Sequence, residues 1–203
     1  RVIDAHGAMV TPGFIDSHVH FNDGGFALSS VQLRDAKTRE EFVQRIAAFA
    51  KTLQKGTWIR NGDWDHTNWG GELPTRAWID SVTPDNPVWI NRLDGHMHLA
   101  NSLAIAAAKV DRNTKDIAGG TIVRDARGEL TGIFKDNAMS LIDVVQPPRS
   151  DAEYDRALDT AMTYVSARGV TSVHHMGDFD GLAPFRRARE ANKLRTRIIA
   201  QVP

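Results

Sequence analysis

Residues 10–21 read VTPGFIDSHVHF, and the reading of this stretch decides the fold. A turn-forming Pro12-Gly13 pair leads into a run of aromatic and β-branched residues, the pattern of a strand entered from a turn. Successive side chains of a strand face opposite ways. Phe14, Asp16, His18 and His20 therefore share one face, and Ile15, Ser17, Val19 and Phe21 share the other. The second set suits a sheet face covered by helices, whereas the first becomes more polar toward the carboxyl end. Along a regular strand the two histidine Cα atoms lie roughly 6.6 Å apart. Both imidazoles can then reach one ion through Zn–N bonds of about 2.0–2.1 Å. Two buried, hydrogen-bonded histidines would fit the same spacing, which also recurs as HMH at 96–98. The surroundings have to decide.

Working outward, the carboxyl-terminal stretch alternates helix and strand. Ser150-Asp151-Ala152-Glu153 is a capping box opening a helix with Tyr154, Leu158, Met162 and Val165 on one stripe, which ends before Gly169. VTSVHHM is a strand, LAPFRRAREANKL a helix, and TRIIAQV a last strand. This rhythm predicts a parallel sheet with helices outside it. Residues 24–149 break the rhythm and read as an inserted subdomain. In it Thr38-Arg39-Glu40-Glu41 is a second capping box, opening a helix with Phe42, Ile46, Phe49 and Leu53 on one stripe and Gly56 as its stop. TWIRNGDW and PVWINRL read as strands, LANSLAIAAAKV as a short helix, and GGTIVRDARGELTGIFKD as a hairpin around DARGE. A helix from Asn137 to Val145 is cut off by Pro147-Pro148. Upstream of the opening stretch, RVIDAHGAMV reads as another strand.

Composition narrows the function classes. The 203 residues include 25 basic and 25 acidic side chains, so the formal charge is zero. That argues against a nucleic-acid or anionic-membrane partner, which would favour a basic surface. No apolar run approaches the ~20 residues of a membrane span. The absence of cysteine excludes disulfides, thiolate zinc sites and a cysteine nucleophile. Any metal must be held by histidine, carboxylate or modified lysine. The compartment is left open: a cytoplasmic location is favoured, and an exported form stays open. The chain starts in what reads as mid-strand and is expected to be a piece of a longer protein, with an open sheet edge.

VTPGFIDSHVH resembles the first-strand motif of the amidohydrolase superfamily, whose members pass from a small β-domain through Pro-Gly into barrel strand one. GTWIRNGDWDHTNWGGELPTRAWID, PVWINRLDGHMHLANSLAI, GGTIVRDARGELTGIFKDNAM and GVTSVHHMG narrow the resemblance to one branch. It is amidohydrolase family 3, which includes N-substituted formamide deformylase and the YtcJ-like proteins. The similarity runs over nearly the whole chain in the same order.

The resemblance implies an α/β fold: part of a (β/α)8 TIM-type barrel with a large α+β insertion after strand one. Residues 1–12 would end the flanking small β-domain, 13–23 form barrel strand one, 24–149 the insertion, and 150–203 strands two and three with their helices. It further implies a metal-dependent hydrolase that attacks an amide or formamide C–N bond with metal-activated hydroxide. One or two divalent ions, zinc foremost, would be the cofactor, the partner a small-molecule amide, and a homodimer the assembly to test. The catalytic aspartate and the remaining ligands would lie beyond Pro203.

By position, His18 and His20 would be metal ligands, with Asp16 either a carboxylate supporting them or a plain salt-bridge partner. Lys135 is a further candidate ligand, weighed against a salt-bridging lysine on a pocket wall. Asp94 and His96 are expected near substrate or in a loop hydrogen-bond network. Trp64 and Trp69 are expected on an apolar pocket wall or in aromatic packing. One of His174 and His175 would line the mouth and the other face the helices. The rival reading is a non-catalytic domain that keeps the scaffold for small-molecule binding or regulation.

Overall fold

A computed structural model describes residues 2–201, Asp180 by its backbone alone. In chain order the regular elements are β1 (Phe14–Val19), α1 (Phe21–Ser29), α2 (Arg39–Ala50), β2 (Ile59–Arg60), α3 (Arg76–Ile79), β3 (Val88–Asn91), β4 (Met97–Ala100) and α4 (Ser102–Ala107). There follow β5 (Gly120–Arg124), β6 (Leu130–Asp136), α5 (Ser140–Asp143), α6 (Asp151–Ser166), β7 (Val170–Met176), α7 (Ala183–Glu190) and β8 (Arg197–Gln201). They divide into two compact units, residues 1–29 with 149–203 and residues 30–148.

The first unit holds a three-stranded parallel sheet in the order β1-β7-β8. Its core joins Phe21, Leu158, Ala161, Met162, Val173 and Phe185. The Ser150 hydroxyl accepts from the Glu153 amide and the Glu153 carboxylate accepts from the Ser150 amide, so α6 starts where the capping box predicts. Ala157, Leu158, Ala161 and Met162 make its buried stripe, two per turn, while Tyr154 is only half-buried. Burying Leu158 or Met162 contributes about 1.5–3 kcal/mol each.

Helix α1 packs on α6 and belongs to this unit, which corrects the expectation that the insertion begins at residue 24. The reason is a close backbone approach: a Cβ on Gly25 would come within 2.2 Å of the Ala157 carbonyl oxygen. Phe26 adds an edge-to-face contact with Tyr154 at 5.0 Å.

Residues 2–13 form no strand, contrary to the reading of RVIDAHGAMV. They are exposed and bond only locally, Ala8 N–H to the Ala5 carbonyl and His6 N–H to Asp4. A strand needs a neighbour to take its amides, and none pairs with this segment among the described residues. The last strand was expected to run to Val202, which lies outside the described residues. Phe14 (68 %) and Ile15 (63 %) at the start of β1 leave opposite faces of that strand open.

The second unit is built on a five-stranded sheet in the order β2-β3-β4-β6-β5, with β2 and β3 parallel and the rest antiparallel. Alternation sorts its two faces. Ile90, Leu99 and Ile133 pack on one side with Phe42, Ile46 and Ile79 from α2 and α3. Trp89, Ala100 and Phe134 pack on the other with Ala104, Ile105 and Ile142 from α4 and α5. The strand expected over TWIRNGDW is only Ile59–Arg60, because Asn61, Gly62 and Asp63 take φ of 61°, 127° and 52° and turn the chain. The run LANSLAIAAAKV is split: Leu99 and Ala100 finish β4, and Asn101 caps α4 by accepting from the Ala104 amide. The helix expected from Asn137 to Val145 is a 3₁₀ turn, Asn137–Met139, followed by the single turn of α5.

Candidate metal centre

At the carboxyl end of β1 the pairing with β7 slips. Asp16 lies opposite Val173 but Val19 lies opposite His175, so β1 carries one more residue than its neighbour across Ser17 and His18. Such a bulge re-aims side chains and is over-represented beside active sites. His18 and His20 emerge from it exposed, their ring centroids 5.8 Å apart and their planes at 70°. Two imidazoles on one tetrahedral ion have centroids about 5 Å apart, given metal–nitrogen bonds of about 2.0–2.1 Å. The separation of the rings is comparable to that spacing, and imidazole nitrogens are donors that zinc accepts. The Asp16 carboxylate accepts the His18 backbone amide at 3.1 Å, which braces the turn of chain that carries the first ring. No group of three or more histidine, aspartate or glutamate residues that could hold a metal occurs among the described residues.

His175 and His174, adjacent on β7, part company as strand neighbours must. His175 is 3 % exposed, sets its ring edge-on to Phe185 on α7, and accepts the Phe21 amide on Nδ1 at 3.0 Å. Burial lowers its pKa, and Nδ1, which accepts a hydrogen bond, carries no proton. His174, half-buried, points to the opposite face.

The other expected site residues lie in the second unit. Trp64 is fully buried, and its indole N–H donates to the Ile90 carbonyl at 2.9 Å. It is a core residue, which corrects its expected place on a pocket wall: the αL residues just before it fold the ring inward. Trp69 lies half-buried on Phe42 with ring centroids 5.2 Å apart, and its N–H donates to the Glu72 carbonyl. Lys135 is half-buried on β6, in register with Met97 and Thr121.

Asp94 and His96 sit in the β3–β4 turn as part of a chain of polar contacts. Arg92 pairs with both Asp94 and Asp65, Asp94 accepts the His96 amide at 3.0 Å, and His96 Nδ1 lies 3.0 Å from the Asp136 carboxylate. Partial burial opposes ionisation of Asp94, but the His96 amide and the Arg92 guanidinium outweigh it and hold its pKa low. Sequence reasoning missed four members of this network: Asp65, His66, Arg92 and Asp136. Burial, then the charge of Arg92, depresses the pKa of His66, whose Nδ1 finds no hydrogen-bond partner among the described residues. Asp136 takes φ 49°, costly for a residue other than glycine. The adjacent carboxylate and imidazole in DWDH were the available signal.

Histidines paired at the end of a parallel strand, on a sheet backed by helices, are an arrangement suited to a metal-dependent hydrolase. A solved structure of an uncharacterized metal-dependent hydrolase from Pyrococcus horikoshii OT3 is similar with a TM-score of 0.70 and 27% identity, covering 94% of this chain and 36% of that one. The model of the amidohydrolase family matches residues 1–202, and the chain belongs to that family.

Among curated relatives, the chain is 43% identical over 177 residues to the protein LONG AFTER FAR-RED 3 of Arabidopsis thaliana, covering 87% of this chain and 30% of that protein. It is 34% identical to the putative amidohydrolase YtcJ of Bacillus subtilis (85% and 33% covered). It is 29% identical to the N-substituted formamide deformylase of Arthrobacter pascens (96% and 37% covered). The chain thus spans about a third of the length of these relatives.

Proposed function

We propose that the protein is a metal-dependent hydrolase of an amide or formamide C–N bond, and that this chain supplies the first strands of a (β/α)8 barrel with its large insertion. The observation that carries the reading is the pairing of His18 and His20 at the open carboxyl end of β1, the end where barrels of this kind keep their active sites. The uncovered apolar residues Phe14 and Ile15 support the barrel, because parallel sheets are ordinarily covered on both faces. The name of the deformylase relative supports the choice of bond.

In this reading His18 and His20 hold a divalent ion, zinc by preference for their imidazoles. When bound, such an ion polarises a carbonyl and brings the pKa of water toward ~7. Asp16 keeps the His18 backbone in place. Asp94 and His96 are proposed as substrate-binding residues, and Lys135 as a further candidate ligand.

The test is metal analysis of the intact protein beside formate release from an N-substituted formamide and amine release from simple amides. Stoichiometric zinc, with turnover lost on chelation and restored by zinc, is the expected result. Turnover that survives metal removal would overturn the metal reading. A metal-loaded protein inactive on both substrate classes would favour the rival, a binding or regulatory domain on the same scaffold.

A further inference from the structure

Beside His20, at the start of α1, lies a pocket of about 300 Å³ whose lining includes Asn22, His175, Gly177, Asp178 and Gly181. Two of these side chains are buried, and each lacks one partner among the described residues. His175 accepts the Phe21 amide on Nδ1. A ring nitrogen that accepts carries no proton, so in the neutral imidazole the proton sits on Nε2. That Nε2–H is buried and meets no acceptor among the described residues.

Asn22, 7 % exposed, donates its amide group to the Gly181 carbonyl at 2.8 Å, which fixes which way the amide faces. Its Oδ1 is then left buried without a donor among the described residues. Asp178 Oδ1 accepts the Gly181 amide at 2.9 Å, and a carboxylate has no proton to give Asn22 Oδ1; Asp178 makes no hydrogen bond to His175 Nε2 either. The missing side chain at Gly177 keeps the donor accessible: a Cβ there would sit 2.3 Å from His175 Nε2. Buried polar groups are nearly always satisfied in native proteins. One orphaned donor and one orphaned acceptor lining the same pocket therefore describe the group that would satisfy both.

We propose that this pocket binds a small neutral group that accepts from His175 Nε2–H and donates to Asn22 Oδ1: a primary carboxamide or formamide. A carboxylate would meet the Asn22 oxygen unfavourably, and an ammonium ion has nothing to offer the His175 donor. The choice of an amide rests on the hydrolase reading above; the donor and acceptor themselves do not.

Formamide is the probe, soaked into crystals of the intact protein and titrated in solution, with formate as the control and metal content measured on the same samples. His175→Asn keeps an acceptor where Nδ1 meets the Phe21 amide but removes the Nε2–H donor. The expected result is formamide bridging His175 and Asn22 in the wild type, no formate there, and formamide affinity reduced more than tenfold in His175→Asn with metal content unchanged. Water alone in the pocket at saturating formamide would overturn the proposal whether or not the variant folds, as would equal affinity in both proteins. A wild type that binds formamide but no metal would sink the hydrolase reading and leave the pocket standing.

Discussion

HVH at 18–20 and HMH at 96–98 share one spacing and have opposite environments. In the first, both rings are exposed at the end of a parallel strand, 5.8 Å apart. In the second, the two histidines belong to different surroundings. His96 is in a turn, three-quarters exposed and paired with Asp136. His98 is on β4, stacked on Trp89 at 4.6 Å with Nδ1 against the Met139 sulfur. Burial pushes the His98 pKa down to about 4. Both pairs straddle a strand end: His18 lies in the bulged end of β1 with His20 just past it, and His96 lies in the turn before β4 with His98 inside it. The difference is burial, since both rings of the first pair stay exposed whereas His98 is half-buried against Trp89.

The comparison can be broken most directly by metal analysis of alanine variants. His18→Ala or His20→Ala is expected to weaken zinc binding of the intact protein more than about 100-fold, beyond the 10–100-fold typical of losing a supporting residue. His96→Ala and His98→Phe should leave it unchanged. Loss of metal in His98→Phe with the first pair untouched would reverse the assignment.

The next effect is on stability against pH. The folded-state pKa of His98 lies below its ordinary value of 6.5, at about 4. Between these values the unfolded chain binds a proton that the folded chain refuses. Stability should therefore fall as pH drops from about 6.5 to about 4, by up to about 3 kcal/mol from this residue. Denaturant titrations across that window, on wild type and His98→Phe, should show a shallower slope in the variant. An unchanged slope would move the proton uptake to His66 or His175, whose pKa values are also lowered.

Smaller effects sharpen the picture. Asp16→Ala removes the brace on the His18 amide and should weaken zinc binding about tenfold, the lower end of what supporting residues contribute. Equilibrium zinc competition reads this directly, and an undiminished affinity would make Asp16 a bystander. His96→Ala removes an exposed contact with the Asp136 carboxylate, worth under about 1 kcal/mol. Its melting temperature should hardly move, and a large drop would make the turn network structural.

Much of the fold was legible in local patterns. The Ser150 capping box, the stripe through Leu158 and Met162, and the GGTIVRDARGELTGIFKD hairpin all depend on residues within a few positions of one another, and all are present. At Thr38 the local reading was half right. Its hydroxyl does accept the Glu41 amide, but the Glu41 carboxylate reaches the Lys37 amide instead of closing the box on Thr38. A strand was wrongly expected over RVIDAHGAMV because the apolar pattern says nothing about whether a neighbouring strand exists to pair with it.

The sequence by itself singled out His18 and His20 as the candidate pair, two residues apart at the end of the strand in VTPGFIDSHVHF; the bulge across Ser17 and His18 that aims them is a feature of the β1–β7 pairing. What it could not determine are the environments made by distant partners. His175 acquired its role from an amide 154 positions away. Trp64 became core because residues 61–63 turn it under the sheet, toward α2. His98 lost its basicity to Trp89 and Met139. Each depends on burial and on contacts far apart along the chain, and only the packed tertiary structure brings these together.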